Sequence, residues 1–113
     1  MTYEQTMAAG ARQYRDVIEG LAAAGLPATF TQTGGMNAAL EVLLDGGHAL
    51  LVTDAEDSLS WARAEQAGWG VGLYARGEQY DGQCLAWACT ADTSMAALQA
   101  VIGEVLRAGV AAG

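Results

Sequence analysis

What most narrows the fold of this 113-residue chain is a pair of strand–turn–strand patterns. Residues 36–44 (MNAALEVLL) place Met36, Ala38, Leu40, Val42 and Leu44 in alternation, and Asp45-Gly46-Gly47 follows. Residues 48–53 (HALLVT) are again β-prone. A hairpin turning on the glycines explains both runs with one device, and is preferred to a helix over 36–44. Residues 69–75 (WGVGLYA) alternate more strictly, with Trp69, Val71, Leu73 and Ala75 on one face and Gly70, Gly72 and Tyr74 on the other. A polar, glycine-bearing stretch (76–83) leads to 84–90 (CLAWACT), which reads as the return strand. Leu85, Trp87 and Cys89 share a face there, so an aromatic stands across from the bare glycines. Either Trp87 or a close helix covers that stripe, or it forms a groove for a ligand or peptide backbone.

Helical stripes bracket these hairpins. Met7, Ala11, Tyr14, Ile18 and Leu21 recur at spacings of four and three, and Glu4, Arg12, Arg15, Asp16 and Glu19 sit off that stripe. Thr2 and Gln5 fit a capping box, and Gly25-Leu26-Pro27 ends the helix. Asp92-Thr93-Ser94 opens a second helix with Met95, Leu98, Ile102 and Val105 on its stripe and Gly109 at its end. Residues 28–33 (ATFTQT) form a further β-prone run, and 59–67 (LSWARAEQA) reads as a short helix or, nearly as readily, an irregular loop. The expected order is α-β-β-β-(α)-β-β-α. This is a single α+β domain over 1–109, with a frayed tail at 110–113. Its five-stranded sheet is mostly antiparallel, and the terminal helices pack on one face.

Charge and apolar content then exclude classes of function. The formal net charge is −8, with 13 acids against 5 bases. Nucleic-acid backbones and anionic lipid both require basic patches, so neither is an expected partner. The apolar runs are too short for a membrane helix, and the first residues carry no secretory pattern, which points to the cytoplasm. Cys84 and Cys89 lie five apart, a spacing that sends them to opposite faces of one strand, out of reach of each other. No cysteine–histidine cluster suggests zinc, and no cofactor motif is present.

The element order resembles that of bacterial type III secretion chaperones and their YbjN-like relatives. The residues that carry it are the helix 3–24, the strands ATFTQT, MNAALEVLL and HALLVT, the segment LSWARAEQA, the WGVGLYA/CLAWACT hairpin and the helix MAALQAVIGEVL. The resemblance implies a small acidic domain, often dimeric, that holds an extended segment of another protein. It assigns no functional residue here.

Three local features carry the candidate chemistry. Asp54, Glu56, Ser58 and Glu65 have the 1, 3, 5, 12 spacing of a calcium loop, but Leu59 stands where that loop turns on glycine. They read as acids at a helix start, and no metal is expected. His48 and the serines lack the arrangement for nucleophilic catalysis, so no catalytic residue is assigned. What remains is a partner-binding patch of Asp54, Glu56, Asp57, Trp61, Trp69, Tyr74 and Trp87, acids beside aromatics that suit a basic or extended protein segment. The expected function is a chaperone-like, homodimeric protein-binding module without enzyme activity. One alternative is a phage- or mobile-element-encoded inhibitor docking on a host protein's basic surface. The other is a small-molecule binder or enzyme with a pocket between sheet and helices.

Overall fold

The computed structural model describes residues 3–34, 37–44, 48–55, 59, 65–74 and 84–112. It is an α+β domain. Helices α1 (Tyr3–Gln13) and α2 (Arg15–Ala23) precede strands β1 (Ala28–Gly34), β2 (Asn37–Leu43), β3 (Ala49–Thr53), β4 (Trp69–Tyr74) and β5 (Cys84–Thr90), and helix α3 (Met95–Ala112) follows. The sheet is a meander, β1-β2-β3-β4-β5, with every neighbouring pair antiparallel.

Residues 37–43 are strand, as the alternation predicts. Leu44 donates its N–H to the His48 carbonyl at 2.8 Å and closes the hairpin across Asp45-Gly46-Gly47. Register then fixes two faces. Phe30, Leu40, Val52, Val71 and Ala88 lie in one cross-strand row, and Ala28, Val42, Leu50, Leu73 and Ala86 in the next. These side chains meet Tyr14, Val17 and Leu21 of the N-terminal helices and Leu98, Val101, Ile102 and Val105 of α3 in one core. Helices α1 and α2 lie against β1, and α3 lies against β4 and β5. All three therefore cover the same face of the sheet, which leaves the other face without a helix among the described residues.

The first helix is broken where the periodicity reads it as continuous. Tyr14 leaves helical geometry at φ −111°, ψ 19°. Its ring is buried and stacks on Phe30 with centroids 6.2 Å apart. The break is a kink made by packing, since neither proline nor a glycine pair stands at this point. At the far end Gly25 adopts φ +84°. Its N–H reaches the Ala22 carbonyl and the Leu26 N–H reaches that of Leu21, the paired bonds of a Schellman stop.

Helix α3 opens as expected. Ser94 Oγ accepts the Ala97 N–H at 3.2 Å, and Asp92 Oδ1 accepts the Ser94 N–H at 2.9 Å. The Ser94 N–H, followed by its hydroxyl, holds the Asp92 carboxyl below the usual carboxylate range. Its support for the cap is thus complete above the ordinary carboxylate range and fades in acid as the pH falls through the lowered value. Replacing Ser94 by Ala is expected to cost about 1 kcal/mol of unfolding free energy, measured as a lower urea midpoint. An unchanged midpoint would show that the cap adds nothing to stability.

Two sequence expectations need correction. The helix runs through Gly109 to Ala112, so 110–112 are helical rather than a frayed tail. A Cβ at Gly109 would collide with Leu73 Cδ2, so this glycine permits close helix–sheet approach rather than a stop. The short helix placed over 59–67 does not begin at Leu59. That residue is buried and bridges Ala38, its N–H bonding the Ala38 carbonyl at 2.8 Å. Of the remainder, 60–64 lie outside the described residues.

Candidate functional site

The proposed patch divides into parts the fold separates. Asp54 follows the end of β3 and is only 5% exposed. Its Oδ1 accepts the N–H of Ala55 at 2.8 Å and that of Ala67 at 3.0 Å, and Oδ2 lies 3.1 Å from the same Ala67 nitrogen. The carboxylate ties together the two ends of the excursion between β3 and β4. Gln66, also buried, donates through Nε2 to the Gly68 carbonyl beside it. Asp54 is therefore a structural clamp and offers no surface charge to a partner. A charged acceptor satisfying main-chain donors is the reason an acid stands in this buried position.

Trp69 is corrected in the same way. It is fully buried in the core and donates Nε1–H to the Ser94 carbonyl at 2.9 Å, joining β4 to the start of α3. Glu56, Asp57 and Trp61 lie outside the described residues. Among the described residues no group of three or more metal-ligating side chains comes together.

Tyr74 and Trp87 are the patch residues that the structure brings together, on the helix-free face. Three rows cross that face. Leu43, Ala49, Tyr74 and Cys84 form one, and Glu41, Leu51, Gly72 and Trp87 the next. Thr53, Gly70 and Cys89 lie in the third. The alternation in 69–75 explains the glycine stripe, and the aromatic expected opposite it is in place. A Cβ at Gly72 would sit 3.4 Å from Trp87 Cε3 and 3.0 Å from Tyr74 Cε2, and one at Gly70 would collide with Trp87 Cη2. The indole thus lies along β4 in a bed that only glycine leaves open. Such glycines gain from an aromatic on the next strand what they lack in side-chain packing.

Even so, Trp87 remains 50% exposed and Leu43 66%, and these are the exposed large hydrophobics among the described residues. Leu43 is absent from the patch read off the sequence. Its signal is nonetheless there, because the alternation that turns Leu40 and Val42 to the core turns Leu43 to the opposite side. The central Ala39 and Leu51 are buried. Glu41 is the single ionisable carboxylate in these rows.

A bulge reverses the expected geometry of the cysteines. Tyr74 pairs with Cys84 while Leu73 pairs with Ala86, so β5 spends one extra residue at Leu85. Leu85 and Ala86 consequently both pack against the core. Cys84 moves to the face of Tyr74, the face that also bears Cys89, and Leu85 leaves the side of Trp87. Burial first, then the charge and hydrogen bond of Cys84, push the Tyr74 hydroxyl above its ordinary value, so it is neutral at pH 7. Both thiols are free and exposed.

A shallow depression of about 250 Å³ lies elsewhere, at the α1–α2 junction, lined by Ala11, Arg12, Arg15, Ile18 and Glu19. His48, Tyr74 and Trp87 take no part in it. No helix of the described residues is long and apolar enough to cross a membrane. Compared with family models, curated proteins and solved structures, the chain matches none.

Proposed function

We propose that this chain is a small protein-binding module, chaperone-like in kind, that receives protein surface on the helix-free face of its sheet and acts by binding rather than by catalysis. The observation that carries the reading is Trp87, half-exposed and held flat on the Gly70/Gly72 stripe. A large aromatic already fixed by its surroundings gives up little conformational freedom on binding, which is why tryptophan is over-represented among residues that dominate interface energies. Leu43 and Tyr74 extend the apolar surface around it. Recognition on this face is apolar. With Asp54 withdrawn as a clamp, the acidic run 54–57 of the sequence-derived patch loses its first member.

Affinity chromatography on the immobilised chain, using lysate of its source cells, tests this reading. Protein retained by the wild type should persist at high salt, because screening weakens charge contacts and leaves apolar ones. The Trp87→Ser variant should lose about thirtyfold in affinity for it, as expected for truncation of an anchor carrying about 2 kcal/mol. Retention that is indifferent to Trp87→Ser, or abolished by moderate salt, would sink the proposal.

A further inference from the structure

We propose that the depression at the α1–α2 junction is a binding site for a small carboxylate with a short apolar tail. It lies on the helical side of the domain, away from Trp87, and does not depend on the reading of the helix-free face.

The hollow follows from the break at Tyr14. Ala11, Arg12, Arg15, Ile18 and Glu19 line it, and all five belong to α1 and α2. Side chains on one flank of a straight helix splay outward from a convex surface. Tyr14 leaves helical geometry between these residues and turns its ring inward onto Phe30. The turns on either side then meet at an angle, and the flank that spans the break is concave.

Its lining combines two kinds of chemistry. Ala11 and Ile18 are partly buried and pack against the core, which makes the floor apolar. Arg12 and Arg15 are exposed and stand three residues apart, so both guanidiniums border the same side. Among the described residues neither is held by an ion pair or a hydrogen bond. Glu19 supplies the one carboxylate of the lining.

Charge and volume then define the ligand. Two arginines against one glutamate leave the lining a single positive charge, in a chain whose 5 bases are outnumbered by 13 acids. One excess positive charge matches a monoanion, and the negative field of the whole chain works against anions of higher charge. The planar fork of a guanidinium matches the paired oxygens of a carboxylate. A hollow of about 250 Å³ takes about eight heavy atoms at the roughly 30 Å³ that a water occupies in the liquid. Hexanoate has that size. Its tail would cover Ala11 and Ile18 while its carboxylate meets the arginines.

Titration of the isotope-labelled full chain with sodium hexanoate, followed through amide chemical shifts, tests the proposal. Saturating shifts should centre on the five lining residues, with a dissociation constant of about 1 mM, modest for a ligand of this size. Acetate lacks the tail, hexanol lacks the charge and hexylammonium reverses it. Each should bind about tenfold more weakly. Arg12→Gln and Arg15→Gln should each weaken hexanoate binding about threefold, the size of an exposed charge contact. Glu19→Gln should strengthen it about twofold by removing the competing carboxylate. Opposite signs at neighbouring surface positions separate recognition from any general effect on the helix. Far-UV circular dichroism and unfolding midpoints establish that the variants keep the fold.

Shifts that fail to saturate by about 20 mM hexanoate overturn the proposal. Equal binding of hexanol or hexylammonium does so too, because the hollow would then select no carboxylate. Acetate binding as well as hexanoate overturns the role of the apolar floor. Affinity indifferent to both arginine substitutions, or lowered by Glu19→Gln, overturns the assignment of the carboxylate to Arg12 and Arg15. Trp87-dependent retention is a separate measurement, so failure here leaves the reading of the helix-free face standing.

Discussion

Trp69→Ala is expected to lower the unfolding free energy by about 4 kcal/mol. The side chain has no solvent exposure, packs in the core between sheet and helices, and spends its one donor on the Ser94 carbonyl. Truncation removes the buried ring, leaves a cavity that close-packed neighbours fill only in part, and frees that carbonyl at the start of α3. Small domains are stable by about 5–15 kcal/mol in total, so the variant should unfold at a markedly lower denaturant concentration. Trp69→Phe separates the contributions. It keeps most of the apolar volume and loses the hydrogen bond, for an expected cost of about 1–2 kcal/mol. A loss below about 1 kcal/mol in the alanine variant would contradict the placement of this ring in the core.

Asp54→Ala is expected to cost about 2–3 kcal/mol, through loss of the carboxylate that accepts the Ala55 and Ala67 N–H groups. Asp54→Asn retains one acceptor oxygen and should lose about half as much. Amide hydrogen exchange gives the residue-level check. In the alanine variant the Ala67 amide should exchange faster by about an order of magnitude or more, while core amides such as those of Val52 and Val71 follow only the global change. If Ala67 exchange is unaltered, the clamp is not what closes the β3–β4 excursion. Binding should fall far less than in Trp87→Ser, since the carboxylate bonds Ala55 and Ala67, and what lies beside Gly70 and the Trp87 ring is the Asp54 main-chain carbonyl, which the substitution keeps. Asp54 and Trp87 therefore separate stability from recognition.

The acids, the first helix and the cysteines show how far local sequence reaches. Asp54-Ala55-Glu56-Asp57 reads as an exposed acidic run because acids grouped in this way are usually solvated. Whether one of them is instead drawn inward depends on which main-chain donors arrive beside it. The donor here is Ala67, thirteen residues on. A similar limit applies at Tyr14, whose spacing is helical on both sides. The break comes from stacking on Phe30, a residue of a different element. The cysteines fail for a third reason. Alternation alone sends positions 84 and 89 to opposite faces, and a bulge that register shows and spacing does not brings them to one.

Legible in the residues themselves are the strands and the outer helices, their order, the hairpin through 45–47 and the opposition of Trp87 to the glycines of β4. All of these follow from periodicity and turn chemistry within a few residues, which are properties of the chain before it folds. What each face is for is a matter of long-range packing. Trp69 and Trp87 both stand in alternating strands, and nothing local ranks one above the other. Packing of α1, α2 and α3 on a single side of the sheet buries the first and leaves the second half in solvent. The parity of a strand is written in its residues, but the side that becomes the core is chosen by where the helices land.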